Sequence, residues 1–150
     1  MKKLQWIIVV VLLLLVRSSA VQAEEYKNVE IKKLLTSTTA SNGQPLSYLR
    51  TDHPEVTVLV LRVPPGGSTG WHQHPVPVYA YMLEGSLTVE MKDGKTYEFR
   101  KGNVILEEMN ALHNGHNSGS EAASLVVFYT GETGVPNVIK EESQASPASK

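Results

Sequence analysis

The side chains best suited to chemistry in this chain are imidazoles, because it contains five histidines and no cysteine. The lack of cysteine excludes a disulfide framework, a thiolate zinc site, a thiol nucleophile and a lipid-modified cysteine. Any metal ion must therefore be held by nitrogen and oxygen. His72 and His74 are separated by one residue, and residues i and i+2 of a strand point to the same face. Two such imidazoles can converge on one ion. The alternative is two ordinary histidines in a loop beside a proline.

The remaining histidines lie near polar neighbours. Glu107 and Glu108 precede His113 and could act as a replacement ligand, a general base or an acceptor for a histidine N–H. Because glutamates are usually exposed, we expect both to be solvated at the rim of the domain. His116 is expected to be exposed rather than ligating, although Glu108 and His116 are the candidate catalytic acids or bases beside such a site. His53 is predicted to lie on the surface.

Short strands must position these side chains. Eleven glycines, eight prolines and no long amphipathic helix are typical of an all-β barrel or sandwich. Asp93-Gly94 is a strong hairpin signal, and Glu84-Gly85 separates two strands. The apolar runs predict a buried strand over 56–63, two strands within 76–91, and strands over 95–99, 104–106 and 124–129, with 124–129 also buried. A first strand or short helix over 29–35 and an edge strand over 46–50 are also expected, with polar loops over 36–45 and 114–120.

Two segments resemble the paired motifs of the cupins. Residues 66–85 match Gly, five residues, His-x-His, a spacer and the final Gly of the first motif. Residues 102–117 match the second motif, Gly, five residues, Pro-x-Gly, two residues, His, three residues, Asn, but Glu108 and Asn110 replace its Pro and Gly. Asn110 can still turn the chain, because asparagine tolerates positive φ. The resemblance covers about residues 46–129. It implies a small exported single-domain cupin with an all-β fold, the double-stranded β-helix or jelly-roll barrel.

The resemblance also implies a metal site. Cupins hold a metal ion inside the barrel on residues of both motifs, which makes His72, His74 and His113 the candidate ligands. The motif's glutamate falls on Val78, which cannot ligate. Three neutral histidines would leave a divalent ion its full charge and favour an anionic or chelating ligand. Such sites resemble those of the Fe(II) thiol dioxygenase and diketone-cleaving cupins, but imidazole also suits Zn, Mn, Ni and Cu.

The side chains around the ion suggest a pocket and two functions. Strand alternation places Val76, Val78 and Met82 on the face of the first two histidines, and we predict that they line a pocket with Trp71 and Asn117. Asn117 could equally hold a turn. One function is a metalloenzyme with dioxygenase-like or Lewis-acid chemistry on a small organic substrate. The other is a non-catalytic module of the cell envelope that binds or senses a small ligand. A barrel without metal is a third possibility.

The first residues predict export. Lys2 and Lys3 precede an apolar run over 7–16, and small residues lead to predicted cleavage before Glu24, with a second candidate after Ala20. This apolar run is shorter than the roughly 20 residues of a spanning helix. We therefore expect a signal peptide over 1–23, a barrel over 24–140 and a disordered tail over 141–150. The mature protein would be periplasmic or secreted, with no membrane attachment.

Charge and patterning also predict the partners. Removing residues 1–23 leaves 11 basic and 15 acidic residues, and this acidic balance argues against nucleic-acid binding. Tyr79, Tyr81 and Leu83 lie on the strand face opposite Val78, so both faces of that strand are apolar and the outer one needs a cover. A second subunit is the expected cover, which predicts a homodimer that binds a small molecule.

Overall fold

A computed structural model describes residues 27–141. The chain divides into two units, residues 1–32 and 33–150. In the first unit, the described residues 27–32 form a turn at Lys27 and Asn28, followed by exposed backbone without a strand. The predicted signal peptide and, apart from Glu141, the predicted tail lie outside the described residues. Across residues 27–141 no helix is long and apolar enough to cross a membrane.

The described part of the second unit is built from strands. The nine strands are β1 (Pro54–Val63), β2 (His72–Gln73), β3 (Val78–Glu84), β4 (Ser86–Met91), β5 (Thr96–Arg100), β6 (Val104–Glu107), β7 (His113–His116), β8 (Ala123–Glu132) and β9 (Ile139–Lys140). They form a four-stranded sheet in the order β1-β8-β3-β6 and a five-stranded sheet in the order β5-β4-β7-β2-β9. Neighbouring strands are antiparallel. This confirms the predicted all-β jelly-roll barrel.

The core lies between the two sheets. Alternate residues of β3 and β4 point inward, and the side chain of Met82 is completely buried. Leu87 and Val89 on β4 join one apolar cluster with Leu125 and Val127 on β8. Burial of this kind stabilises by roughly 25 cal/mol per Å² of apolar surface. The strands over 76–91, the Asp93-Gly94 hairpin and the buried strand over 124–129 are confirmed.

Strand β1 corrects one prediction. The run over 56–63 does form a strand, but it lies at the edge of its sheet and most of its residues are exposed. Val58 is 52% exposed, Val60 66% and their neighbour Phe128 41%. A continuous β-branched run is typical of a strand covered on both faces. Among residues 27–141, nothing covers the outer face of β1.

Three further segments differ from expectation. Residues 29–35 and 46–50 do not form strands, and most of their large side chains are exposed, with Tyr48 82% exposed. Alternation alone does not make a strand where no neighbouring strand supplies hydrogen bonds. The polar loop expected over 114–120 is wrong in its first part, because β7 includes residues 114–116. Strand β7 pairs with β4 through backbone groups, which its polar side chains do not prevent.

Two turns of the barrel depend on left-handed backbone. Gly85 has a φ of 67°, and a Cβ there would lie 2.5 Å from the carbonyl oxygen of Ala122. Only glycine fits this junction between β3 and β4. Asn110 has a φ of 57°, as expected from its place in the second motif. Its backbone N–H donates to the carbonyl of His74 at 2.8 Å, so this turn is fastened to the histidine pair.

Candidate metal centre

Three histidines meet inside the barrel. His72 lies on β2, His74 follows β2, and His113 begins β7, where it is the cross-strand partner of His72. Their ring centroids are 4.4 to 5.1 Å apart, and all three side chains are buried. Each offers a ring nitrogen, and these nitrogens lie within 4.8 Å of one another. Residues 41 positions apart are thus brought to one point by the pairing of β2 with β7.

Backbone carbonyls fix the orientation of all three rings. Nδ1 of His72 lies 2.7 Å from the carbonyl oxygen of Gly70, and Nδ1 of His113 lies 2.9 Å from that of Ala111. Nδ1 of His74 lies 2.7 Å from the carbonyl oxygen of Asn137. A carbonyl can only accept, so each Nδ1 carries the hydrogen and each neutral ring presents a lone pair on Nε2.

The Nε2 atoms are left for another partner. Nε2 of His113 is buried and has no hydrogen-bond partner. Buried polar atoms are rarely left unsatisfied, and an ion is one explanation of an exception. Burial lowers the pKa of His72, which favours the neutral, ligating ring. The residues therefore fit a divalent metal ion.

A carboxylate reaches the same point. Oε2 of Glu107 lies 2.9 Å from Nε2 of His74 and 3.8 Å from Nε2 of His113. Although burial acts against both charged forms, the pair raises the pKa of His74 and lowers the pKa of Glu107. The expectation that Glu107 is solvated is wrong, because its side chain is 15% exposed. It ends β6 on the inner face of the sheet.

Glu108 is also buried, contrary to expectation. The residue is 5% exposed, and its Oε1 atom has no hydrogen-bond partner. Burial raises the pKa of Glu108. With Glu107, Tyr79 and Leu46 it lines a cavity of about 20 Å³. That volume holds about one water molecule.

The apolar side chains that alternation places on the face of the first two histidines are buried. Val76, Val78 and Met82 are all buried in the core cluster. Tyr129 is cross-strand from Val78, and its ring centroid lies 5.6 Å from that of His74. Burial raises the pKa of Tyr129 and favours its neutral phenol. These groups exclude water, which strengthens electrostatic interactions at the Nε2 atoms.

The other predicted site residues make contacts of their own. Trp71 is half-buried, and the Nζ atom of Lys92 lies 4.0 Å from the centroid of its ring. The amide of Asn117 donates to the carbonyls of Val63 and Glu121 at 2.9 and 2.7 Å, so it holds the loop. His116 lies three residues after His113 on β7, and alternation puts it on the opposite face.

Sequence reasoning named Glu107 as a possible ligand but expected it in solvent, and it did not find the contribution of Asn137. The position of Glu107 depends on the register between β3 and β6, which no short motif encodes. The carbonyl of Asn137 comes from the segment before β9, 63 residues after His74. Because every residue has a backbone carbonyl, the residue type at position 137 does not indicate this contact.

Comparison with known proteins gives one family. Residues 59–129 match Cupin_2, described as a cupin domain. This stretch begins in β1, ends in β8 and contains all three histidines. No curated protein sequence matches the chain.

Solved structures show the same fold. The DMSP lyase DddQ from Ruegeria pomeroyi DSS-3 has a TM-score of 0.53 and 16% identity over 69% of this chain and 49% of that one. The oxalate decarboxylase from Lactobacillus farciminis, in a formate complex, has a TM-score of 0.50 and 21% identity over 57% of this chain. This chain spans 26% of that decarboxylase and 44% of a further match, in crystal structures of DMSP lyases.

Proposed function

We propose that this chain, which folds as a jelly-roll barrel and matches a cupin-domain model over residues 59–129, binds a divalent metal ion through His72, His74 and His113. The ion would hold a small organic molecule, either as substrate or as ligand. One observation carries this proposal: three buried rings each donate Nδ1–H to a backbone carbonyl and direct Nε2 to a common point. Pre-oriented neutral imidazoles of this kind are the commonest protein ligands of transition metals.

The surrounding residues suit a small polar ligand. When bound, the ion supplies Lewis-acid chemistry, or dioxygen chemistry if it is iron. The site is flanked by buried apolar side chains, those of Val76, Val78 and Met82. Because they exclude water, electrostatic interactions in the site are strong. We therefore propose a small oxygen-containing ligand that presents its donor atom to the ion.

Metal content tests the proposal directly. The full chain, purified without chelator, is analysed for transition metals by mass spectrometry, and we expect close to one ion per chain. His72→Ala and His113→Ala should each lose the ion. His53→Ala is the matched control, because His53 is exposed and lies outside the cluster. A metal-free wild-type protein that also fails to take up Zn²⁺, Fe²⁺ or Mn²⁺ would overturn the proposal.

A non-catalytic binding module is the second candidate. The burial of all three histidines favours it, since a catalytic site must also admit and release a substrate. Metal-loaded protein can be incubated with small carboxylic acids, diketones and thiols, with and without oxygen. Turnover supports the enzyme, whereas tight binding with unchanged ligand supports the binding module.

We also propose that the chain is exported and dimeric. Residues 1–23 have the parts of a secretory signal, so protein recovered from the periplasm or medium should begin at Glu24. The dimer is supported by the outer face of the four-stranded sheet, where Val58, Phe128 and Tyr79 lie side by side across β1, β8 and β3. Monomeric proteins rarely expose large apolar patches. A second copy packed on this face would cover it through a two-fold interface.

A further inference from the structure

We propose that Glu107 is the fourth ligand of the metal ion, supplied from β6 in place of the absent carboxylate at Val78 on β3. The inference rests on the proposed function and names one more residue of the same site. Three features of the site support it: the register between β3 and β6, the distances from Oε2 of Glu107 to two imidazoles, and the direction of the hydrogen bonds that those imidazoles make.

The register places Glu107 directly across from Val78. The two residues are antiparallel partners in the pairing of β3 with β6. Directly opposed residues project to the same face, with Cβ atoms about 5 Å apart. Val78 is buried in the core cluster, so this face is the interior of the barrel. A carboxylate moved from position 78 to position 107 therefore stays on the same side of the sheet and shifts by one strand.

The contact between Glu107 and His74 requires a cation. Nδ1 of His74 donates to the carbonyl of Asn137 at 2.7 Å, so Nε2 of the neutral ring is an acceptor. A carboxylate oxygen is also an acceptor, yet Oε2 of Glu107 lies 2.9 Å from that Nε2. Two lone pairs at this separation repel unless a positive charge lies with them.

A metal ion accounts for more of the site than a shared proton does. A proton between His74 and Glu107 would satisfy that pair and leave the buried Nε2 of His113 without a partner. An ion would serve all three imidazoles and the carboxylate together. Two ligand atoms that each lie about 2.1 Å from one ion are roughly 3 to 4 Å apart. The 2.9 and 3.8 Å separations of Oε2 from His74 and His113 lie within this range.

The fourth ligand changes the charge of the centre. A carboxylate cancels one of the two positive charges of the ion, so the site holds three nitrogens and one oxygen instead of three neutral nitrogens alone. This replaces the expectation from the sequence that the ion keeps its full charge. It also explains why position 78 carries valine, because a second carboxylate at that position would crowd the same ion.

Moving the carboxylate from position 107 to position 78 tests the inference. Glu107→Gln removes the charge and keeps the shape, and we expect it to weaken Zn²⁺ binding by more than about 100-fold, beyond the 10- to 100-fold typical of a residue that only orients a ligand. The double variant Val78→Glu/Glu107→Val returns a carboxylate to the opposed position and should recover most of that loss. Glu55→Gln is the matched control, because Glu55 is exposed on β1.

Spectroscopy supplies a readout independent of activity and affinity. With Cu²⁺ bound, the electron paramagnetic resonance spectrum should change between wild type and Glu107→Gln, because the anionic carboxylate ligand is lost. The double variant should regain the wild-type type of spectrum. Circular dichroism of each protein without metal verifies folding, and Glu107→Asp replaces any variant that does not fold, with weakened binding expected from its shorter reach.

The outcomes separate the two proposals. Wild-type protein that binds no metal overturns the proposed function and this inference with it. Wild-type protein that binds metal, beside a Glu107→Gln variant with affinity within tenfold and an unchanged spectrum, overturns the role of Glu107 and leaves the histidine site in place. Loss in Glu107→Gln with recovery in the double variant supports both.

Discussion

The carbonyl oxygen of Asn137 lies 2.7 Å from Nδ1 of His74, although 63 residues separate them. The amide of Asn137 in turn donates to the hydroxyl of Thr57 on β1 at 3.0 Å. The segment between β8 and β9 is thereby held against the barrel, and its backbone sets the orientation of a candidate metal ligand.

Asn137→Ala should weaken metal binding although the side chain of Asn137 is not a candidate ligand. Loss of the bond to Thr57 frees the carbonyl that orients His74, and we expect metal affinity to fall about tenfold and stability by about 1 kcal/mol. Thr57→Val removes the same hydrogen bond and should act alike, whereas Thr96→Val on exposed β5 should do neither. Metal titration and urea unfolding measure the two effects. Unchanged metal affinity in Asn137→Ala would contradict the role given to this segment.

Metal removal should lower thermal stability. A ligand that binds only the folded state at 100 times its dissociation constant stabilises by about 2.7 kcal/mol. For a domain of this size the unfolding midpoint should therefore rise by roughly 10 °C or more when Zn²⁺ is added to chelator-treated protein. Differential scanning calorimetry measures the shift, which His53→Ala should keep and His72→Ala should lose. An equal shift in His72→Ala would mean that the ion binds elsewhere.

Gly85→Ala should destabilise the barrel more than Gly94→Ala does. Both glycines have positive φ, 67° and 84°, so each substitution adds strain of about 1–2 kcal/mol. At Gly85 the added Cβ also meets the Ala122 carbonyl oxygen at 2.5 Å, whereas nothing lies within 4 Å at Gly94. The difference between the two free energies of unfolding, measured in urea, isolates this contact. Equal losses would show that the β3–β4 junction yields without cost.

A charge on the outer sheet face should separate the proposed dimer. Val60→Glu places a carboxylate among the apolar side chains of β1 and β8, where it would be buried without a partner between two subunits. We expect the mass from light scattering to fall from that of two chains to that of one. Thr96→Glu, on the exposed β5 strand, should leave the mass unchanged. A monomeric wild type would contradict the dimer itself.

The histidines of the site could be predicted from the sequence because their spacing is local. His72 and His74 stand two residues apart, and His113 stands at a fixed place in its own motif, so each could be assigned without knowing any strand register. Asn110 was assigned for the same reason, since one residue type explains one backbone conformation.

The rest of the site depends on information that spacing does not contain. Glu107 and Glu108 were expected in solvent from their average behaviour, but the pairing of β6 with β3 turns Glu107 inward. The prediction that β1 is buried was wrong, because an apolar run indicates only that both faces of a strand favour burial. It does not indicate whether other residues of the same chain pack on those faces. For β1, none of the described residues packs on the outer face.

The three carbonyls that orient the imidazoles belong to the main chain of Gly70, Ala111 and Asn137. No substitution can delete a main-chain carbonyl, although one can loosen the segment that carries it, as we expect for Asn137→Ala. Changes in length act on these carbonyls more directly. One residue inserted between Gly70 and His72, or between Ala111 and His113, would move the acceptor out of reach while leaving every ligand in place. As the sequence of this protein diverges, these two spacings should therefore change less than the identities of the residues within them.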